Sequence, residues 1–330
     1  TAARWRTCCC KLHRSTRSRS AHAALVFLPE APAMTVTYFS TLRDVLRFAT
    51  TRFNGAGLFF GHGSTNAFDE AAYLLLHTLK LPLDRLDPFL DARLLPEEVA
   101  ALLKVVERRA AERVPAAYIT HEAWLGSYRF YVDERVIVPR SFIAELIPEQ
   151  FAPYISDPED VGSVLELCTG SGCLAVLLAD AFDNAHVDAL DLSDEALAVA
   201  QRNVADYQMQ DRIALQQSDL YDALLPEKRY DLIVSNPPYV NASSMAKLPP
   251  EYRCEPQMAL AGGDDGMDLV RRIVDGARTR LKPRGVLVVE VGNERAHAES
   301  AFPDLELTWL STSAGDDMVF LVTAEQLGVR

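Results

Sequence analysis

The chain has no apolar run near the roughly 18 residues that a membrane-crossing helix needs, so no membrane span is expected. Cysteine is scarce, six in 330 residues, and none has the paired spacing of a zinc site or a secreted disulfide framework. Three stand together at Cys8–Cys10, and the others are Cys168, Cys173 and Cys254. That usage fits a reducing, cytoplasmic setting, and no metal site is expected. There is no internal repeat, and the body has no basic run. The formal charge is −13, yet residues 1–33 hold six Lys or Arg and one acid, a net of +5. The remainder carries 27 basic against 45 acidic residues, a net of −18. Such a body should repel a phosphate backbone, which weighs against direct duplex DNA binding and is compatible with a basic protein partner.

What is present falls into four stretches. Residues 1–33 are rich in Arg and Ser and poor in acids. They are expected to be a disordered tail without chemistry, translated from upstream of a true start at Met34; a transit peptide is the lesser alternative. Residues 34–114 are expected to form a small helical domain. Phe39, Leu42, Val45, Leu46 and Ala49 repeat at three and four, as do Phe68, Ala71, Ala72, Leu75 and Leu79, and Pro96-Glu97-Glu98 opens a further helix. His62, in the loop between two of these helices, is expected to serve structure or recognition. Residues 115–141 are expected to be a β-hairpin linker, with aromatic and β-branched residues from Trp124 to Val132 and again at Val136–Val138.

Residues 142–330 are expected to form an α/β domain. Strands at Val164–Leu167, His186–Leu190, Ile213–Gln216, Asp231–Ser235 and Gly285–Val291 alternate with helices, the pattern of a parallel α/β sheet. Two late strands near Leu305–Leu310 and Met318–Val322, joined by a short link, predict an antiparallel edge hairpin.

Glu166-Leu167-Cys168-Thr169-Gly170-Ser171-Gly172 sits where the first strand becomes a helix. Its glycines let the backbone approach a ligand, and the helix start offers N–H groups. The spacing also fits a loose dinucleotide fingerprint, so a nicotinamide enzyme is weighed. Asp191, ending the second strand, suits ribose hydroxyls in either case. Three features favour S-adenosyl-L-methionine. Glu166 can meet a cationic ligand end; Asp219-Leu220 after the third strand suits adenine; and Asn236-Pro237-Pro238-Tyr239 follows the fourth. The two prolines fix carbonyls in space, and the Asn236 carboxamide both accepts and donates, which suits a planar nitrogen bearing two hydrogens. Cys168 and Cys173 are expected to pack rather than react. Asp264-Asp265 is expected to open a helix rather than bind a metal.

With these residues the sequence resembles the HemK/PrmB group of protein-glutamine N5-methyltransferases from Met34 onward. The shared landmarks are Cys168–Gly172, Asp191, Asn236–Tyr239, and Glu255-Pro256 followed by Ala259–Gly266. The PrmB branch is the better match, through Phe60–Gly63, Thr120–Trp124, Phe130–Arg135, Val138–Ser141 and Glu251–Arg253. Cys254 and Phe142 depart from that branch, where histidine and proline are usual. The resemblance implies a Rossmann-like class I methyltransferase sheet and S-adenosylmethionine-dependent methylation of a glutamine in large-subunit ribosomal protein L-three, free or in an assembling subunit. Catalysis would fall to Asn236, Pro237, Pro238 and Tyr239. Glu166, Cys168, Thr169, Gly170, Ser171, Gly172, Asp191, Asp219, Leu220 and Asn236 would hold the cofactor. Arg140 would bind substrate or form a structural salt bridge. Methylation of an adenine or guanine amine is the rival activity, and a non-catalytic ribosome-assembly factor is a further alternative.

Overall fold

A computed structural model describes residues 38–329, so the tail expected at 1–33 lies outside the described residues. The first third of the described residues is helical because its apolar residues return every three or four positions. Helix α1 (Leu42–Ala56) buries Leu42, Val45, Leu46, Ala49 and Phe53, and a capping box between Thr41 and Asp44 fixes its start. Asn66 caps α2 (Ala67–Thr78), and Pro96 opens α3 (Pro96–Ala110). With the short α4 (Ala116–Thr120) they share one apolar cluster that includes Phe53, Leu74, Leu75 and Leu102.

Next come β1 (Ala123–Leu125) and β2 (Tyr128–Phe130), an antiparallel pair whose turn contains Gly126 at φ +61°. The β-type run Val136–Val138 is not a strand. Val136 and Val138 are buried beside Tyr118, and the Val138 N–H donates to Glu255 Oε1 at 3.0 Å, a carboxylate taking the place of a strand partner. A four-residue helix, α5 (Ile143–Leu146), leads on to the sheet.

The sheet comprises β3 (Ser163–Leu167), β4 (His186–Asp191), β5 (Ile213–Gln217), β6 (Tyr230–Ser235), β7 (Leu281–Glu290), β8 (Thr308–Thr312) and β9 (Gly315–Thr323), in the order β5-β4-β3-β6-β7-β9-β8. The first five strands are parallel, and β9 and β8 form the expected antiparallel edge. Strand β7 starts four residues before the expected Gly285, with a register shift against β6 near Tyr230.

Helices α6 (Cys173–Ala181), α7 (Asp194–Asp206), α8 (Ala242–Met245), α9 (Asp268–Arg280) and α10 (Arg295–Ala301) complete the fold. The strands read as near-continuous apolar runs because both faces are covered. Val164, Leu232, Val234 and Val288 pack with α6 on one face; Leu165, Leu167, Ile233 and Leu287 pack with Val270, Ile273 and Val274 of α9 on the other. From β3 the chain runs outward to β4 and β5, then crosses back to β6. The reversal puts a crevice at the carboxyl ends of β3 and β6, where open α/β sheets bind ligands.

Candidate active site

The register that pairs Leu167 with Ser235 brings the ends of β3 and β6 level, and the Ser235 hydroxyl donates to the Leu167 carbonyl at 2.9 Å. Asn236 therefore emerges beside Cys168. Between them opens a cleft of about 760 Å³, its open mouth included. Cys168, Gly170, Asp191, Asp219, Leu220, Asn236 and Pro238 all line it, together with Arg135, Leu192, Pro256, Met258 and Leu269, to which the sequence reading gave no role in a site. The exposed apolar side chains Leu192 and Met258 stand at this cleft rather than in the core, a placement that only the fold reveals.

Glu166, Thr169, Ser171, Gly172, Pro237, Tyr239 and Arg140 are not in its wall. Glu166 lies buried beneath the glycine turn, where the Thr169 hydroxyl donates to its Oε2 at 2.5 Å. Burial, with the nearby charge of Asp191, pushes its carboxyl up to about 8. Gly172 closes the turn at φ +76°, with α7 against it; a side chain carbon there would come within 3.0 Å of the Ala200 side chain. Gly170 adopts φ +55° and faces open space. Asp191 holds the turn: its Oδ2 accepts the Gly170 N–H at 2.8 Å and its Oδ1 the Ser193 N–H at 2.9 Å. Ser193 also caps α7, its side chain accepting the Ala196 N–H. Asp219 is half-exposed and paired with Arg272 at 3.0 Å. Cys168 and Cys173 have thiols pushed up by burial, Cys173 to about 12, which makes them poor nucleophiles.

The Asn236–Tyr239 turn is clasped by the glycine-rich segment downstream. Val240 N donates to Leu260 O at 2.9 Å, and Gly262 N donates back to Val240 O at 3.0 Å. This approach is why small residues are needed: a side chain carbon on Gly266 would sit 2.2 Å from the Tyr239 carbonyl, and one on Gly262 2.8 Å from that of Pro238. Asp265 then accepts the Met267 N–H and pairs with Arg271, so it lies in the turn that leads into α9. The Tyr239 hydroxyl donates to Glu290 Oε1 at 3.2 Å, and its ring lies over Gly292. The other Glu290 oxygen accepts from the Ser141 hydroxyl at 2.6 Å and the Phe142 N–H at 2.9 Å.

Arg140 takes the salt-bridge geometry. Its terminal nitrogens donate to Glu255 at 2.5 and 2.7 Å, with the guanidinium over the Tyr252 ring. His62 is buried with its Nε2 3.5 Å from Glu255 Oε1. Burial alone would raise the Glu255 carboxyl, but His62 and the Arg140 guanidinium together lower it to about 2. One turn earlier, Glu251 Oε1 accepts the Phe59 N–H at 3.1 Å and pairs with Arg109 and Arg113. Glu251 and Glu255 thus bolt the helical segment and the loop before α5 to the segment leading into the cleft at Pro256. Sequence reading placed both in landmarks of the family without a role, and it passed over Glu290, although an acid ending a buried apolar strand was a readable signal.

The sheet order, with its antiparallel edge hairpin and a glycine turn after the first parallel strand, is that of Rossmann-like class I methyltransferases. The methyltransferase small domain family model matches residues 149–248. The chain is 65% identical over 297 residues to the ribosomal protein uL3 glutamine methyltransferase of Burkholderia pseudomallei, covering 88% of this chain and 97% of that protein. It is 58% identical over 287 residues to the protein of the same name from Bordetella pertussis, covering 87% and 96%. A crystal structure of a methyltransferase from Pyrococcus furiosus superposes with a TM-score of 0.45 at 16% identity, over 61% of this chain and 90% of that one. The chain belongs to the family of ribosomal protein uL3 glutamine methyltransferases, the branch that its sequence landmarks indicated.

Proposed function

We propose that this protein transfers a methyl group from S-adenosylmethionine to the side chain amide nitrogen of a glutamine in ribosomal protein uL3, in the cytoplasm. The observation that carries the reading is that Asn236 shares one cleft with Gly170, Asp191 and Asp219. The cleft suits a nucleoside with an amino acid tail. Gly170 faces open space, Asp191 and Asp219 offer acceptors for hydroxyls and an amine, and Leu220, Leu192, Met258 and Leu269 supply apolar flanks for a base. S-adenosylmethionine supplies a methyl group on a sulfonium, a good leaving group.

In this reading Asp191 holds ribose, Asp219 and Leu220 frame adenine, and Gly170 and Gly172 admit the ligand. Cys168, Thr169 and Ser171 shape the same turn, with Glu166 supporting it from beneath. A primary amide nitrogen is a poor nucleophile because its lone pair is delocalised into the carbonyl. The Asn236 carboxamide oxygen and the Pro237 carbonyl would accept its two N–H bonds, orienting the nitrogen and favouring the charge that develops on it. Pro238 fixes those acceptors, and Tyr239, anchored on Glu290, backs the amide plane. Residues 34–114 and the hairpin linker at 115–141 would read the protein substrate, ahead of a catalytic domain at 142–330.

The test is methyl transfer from labelled S-adenosylmethionine into a lysate lacking this activity, with wild type and Asn236→Ala. The expected result is label in uL3, mapped to a glutamine and reduced about 10²- to 10³-fold in the variant. Label in RNA or DNA instead of protein would overturn the choice of substrate.

A further inference from the structure

S-adenosylmethionine carries one anionic group, the carboxylate of its methionine end, and the cleft walls hold two acids, Asp191 and Asp219. The backbone N–H groups that a glycine turn commonly offers an anion are largely occupied. Thr169 N–H donates to Leu190 O at 3.0 Å, Gly170 N–H to Asp191 Oδ2 at 2.8 Å, and Gly172 N–H to Thr169 O at 2.9 Å. The carboxylate therefore needs another donor. Among the described residues lining the cleft, Arg135 is the one basic side chain.

Its geometry is prepared for that task. Arg135 Nε and Nη2 donate to Asp133 Oδ1 and Oδ2 at 2.8 and 2.6 Å, which leaves Nη1 without a partner among the described residues. Asp133 is itself held by the Tyr131 hydroxyl at 2.8 Å, and the Tyr131 ring is stacked under Arg202, whose guanidinium carbon lies 3.5 Å from the ring centre. One edge of the guanidinium is thus locked in a single orientation. The side chain keeps 39% of its surface exposed, so the other edge remains available. A planar guanidinium with a free donor edge is the side chain best matched to a carboxylate.

Resting on the methyl-transfer reading, we propose that Arg135 binds the methionine carboxylate of the cofactor, with Asp133 as the residue that orients it. The two halves of the cofactor are then recognised separately: the nucleoside at Asp191 and Asp219, the amino acid at Arg135.

The test is calorimetric binding of two ligands that share a nucleoside and thioether. S-adenosylhomocysteine has the amino acid end, and 5′-methylthioadenosine lacks it. Arg135→Met should weaken S-adenosylhomocysteine about ten- to a hundredfold, the scale of one charge-assisted contact, and leave methylthioadenosine unchanged within about twofold. Arg135→Lys should restore part of the loss. With wild type alone, the carboxyl methyl ester of S-adenosylhomocysteine should bind about as weakly as the acid binds Arg135→Met, a comparison that needs no variant to fold. Equal losses for both ligands in Arg135→Met, or full affinity for the ester, would overturn the assignment. If wild type bound neither nucleoside, the methyl-transfer reading itself would fail.

Discussion

Arg140 and Glu255, 115 positions apart in the chain, meet in a two-pronged ion pair at 2.5 and 2.7 Å. Because the Glu255 side chain is fully buried, the pair acts as a strut joining the loop before α5 to the segment that turns into the cleft at Pro256. A buried pair contributes little over a well-packed apolar substitute, but removing one partner strands a charge. Glu255→Ala should therefore cost about 3–5 kcal/mol of stability, measured by urea unfolding. The loss should be much reduced in the double variant with Arg140→Met; an additive double variant would refute the strut.

Gly266 allows the downstream loop to clasp the Asn236–Tyr239 turn. Gly266→Ala places a carbon 2.2 Å from the Tyr239 carbonyl at a φ of +81°. It should lower stability by about 1–3 kcal/mol, and methyl transfer about tenfold or more as Asn236 moves. Gly55→Ala, with nothing within 4 Å in α1, is the control. It should be neutral or stabilising by about 0.5–1 kcal/mol. Thermal unfolding and initial rates would check both.

Tyr239 touches Glu290 through its hydroxyl, and Glu290 keeps its Ser141 and Phe142 donors when that contact is lost. Tyr239→Phe should cost about 1 kcal/mol and keep transfer within about tenfold of wild type. Tyr239→Ala, which removes the ring over Gly292, should lose far more activity. Steady-state kinetics with methylated uL3 as the readout would separate the two.

Glu166 predicts a pH dependence. Its folded carboxyl titrates at about 8 against an ordinary 4.5, because burial favours the neutral form. The folded protein thus holds a proton that the unfolded chain releases, so this group makes stability fall as pH rises between those two values. Glu166→Gln should flatten the decline of melting temperature from pH 5 to pH 8 and leave the variant relatively more stable at pH 8. An unchanged slope would show that Glu166 is not the titrating group.

The alternation of strands and helices, the glycine turn after the first parallel strand and the Asn-Pro-Pro-Tyr turn after the fourth were all legible in the sequence. Each is written in contiguous residues. Apolar runs make covered strands, proline fixes its own φ, glycine opens positive φ, and Ser193 before two acids caps a helix wherever it lies. The tertiary structure alone decided which charges are bonded to which. A carboxylate reads the same in sequence whether solvent or a guanidinium faces it, and Glu255 and Glu290 find partners 115 and 149 positions away. The same long-range pairing turned Val136–Val138 from an expected strand into a segment held by Glu255, and folding put Glu166 under the glycine turn instead of in the cleft wall. Local propensity names the elements; only their assembly determines which polar groups are buried together, because burial is what makes a partner obligatory.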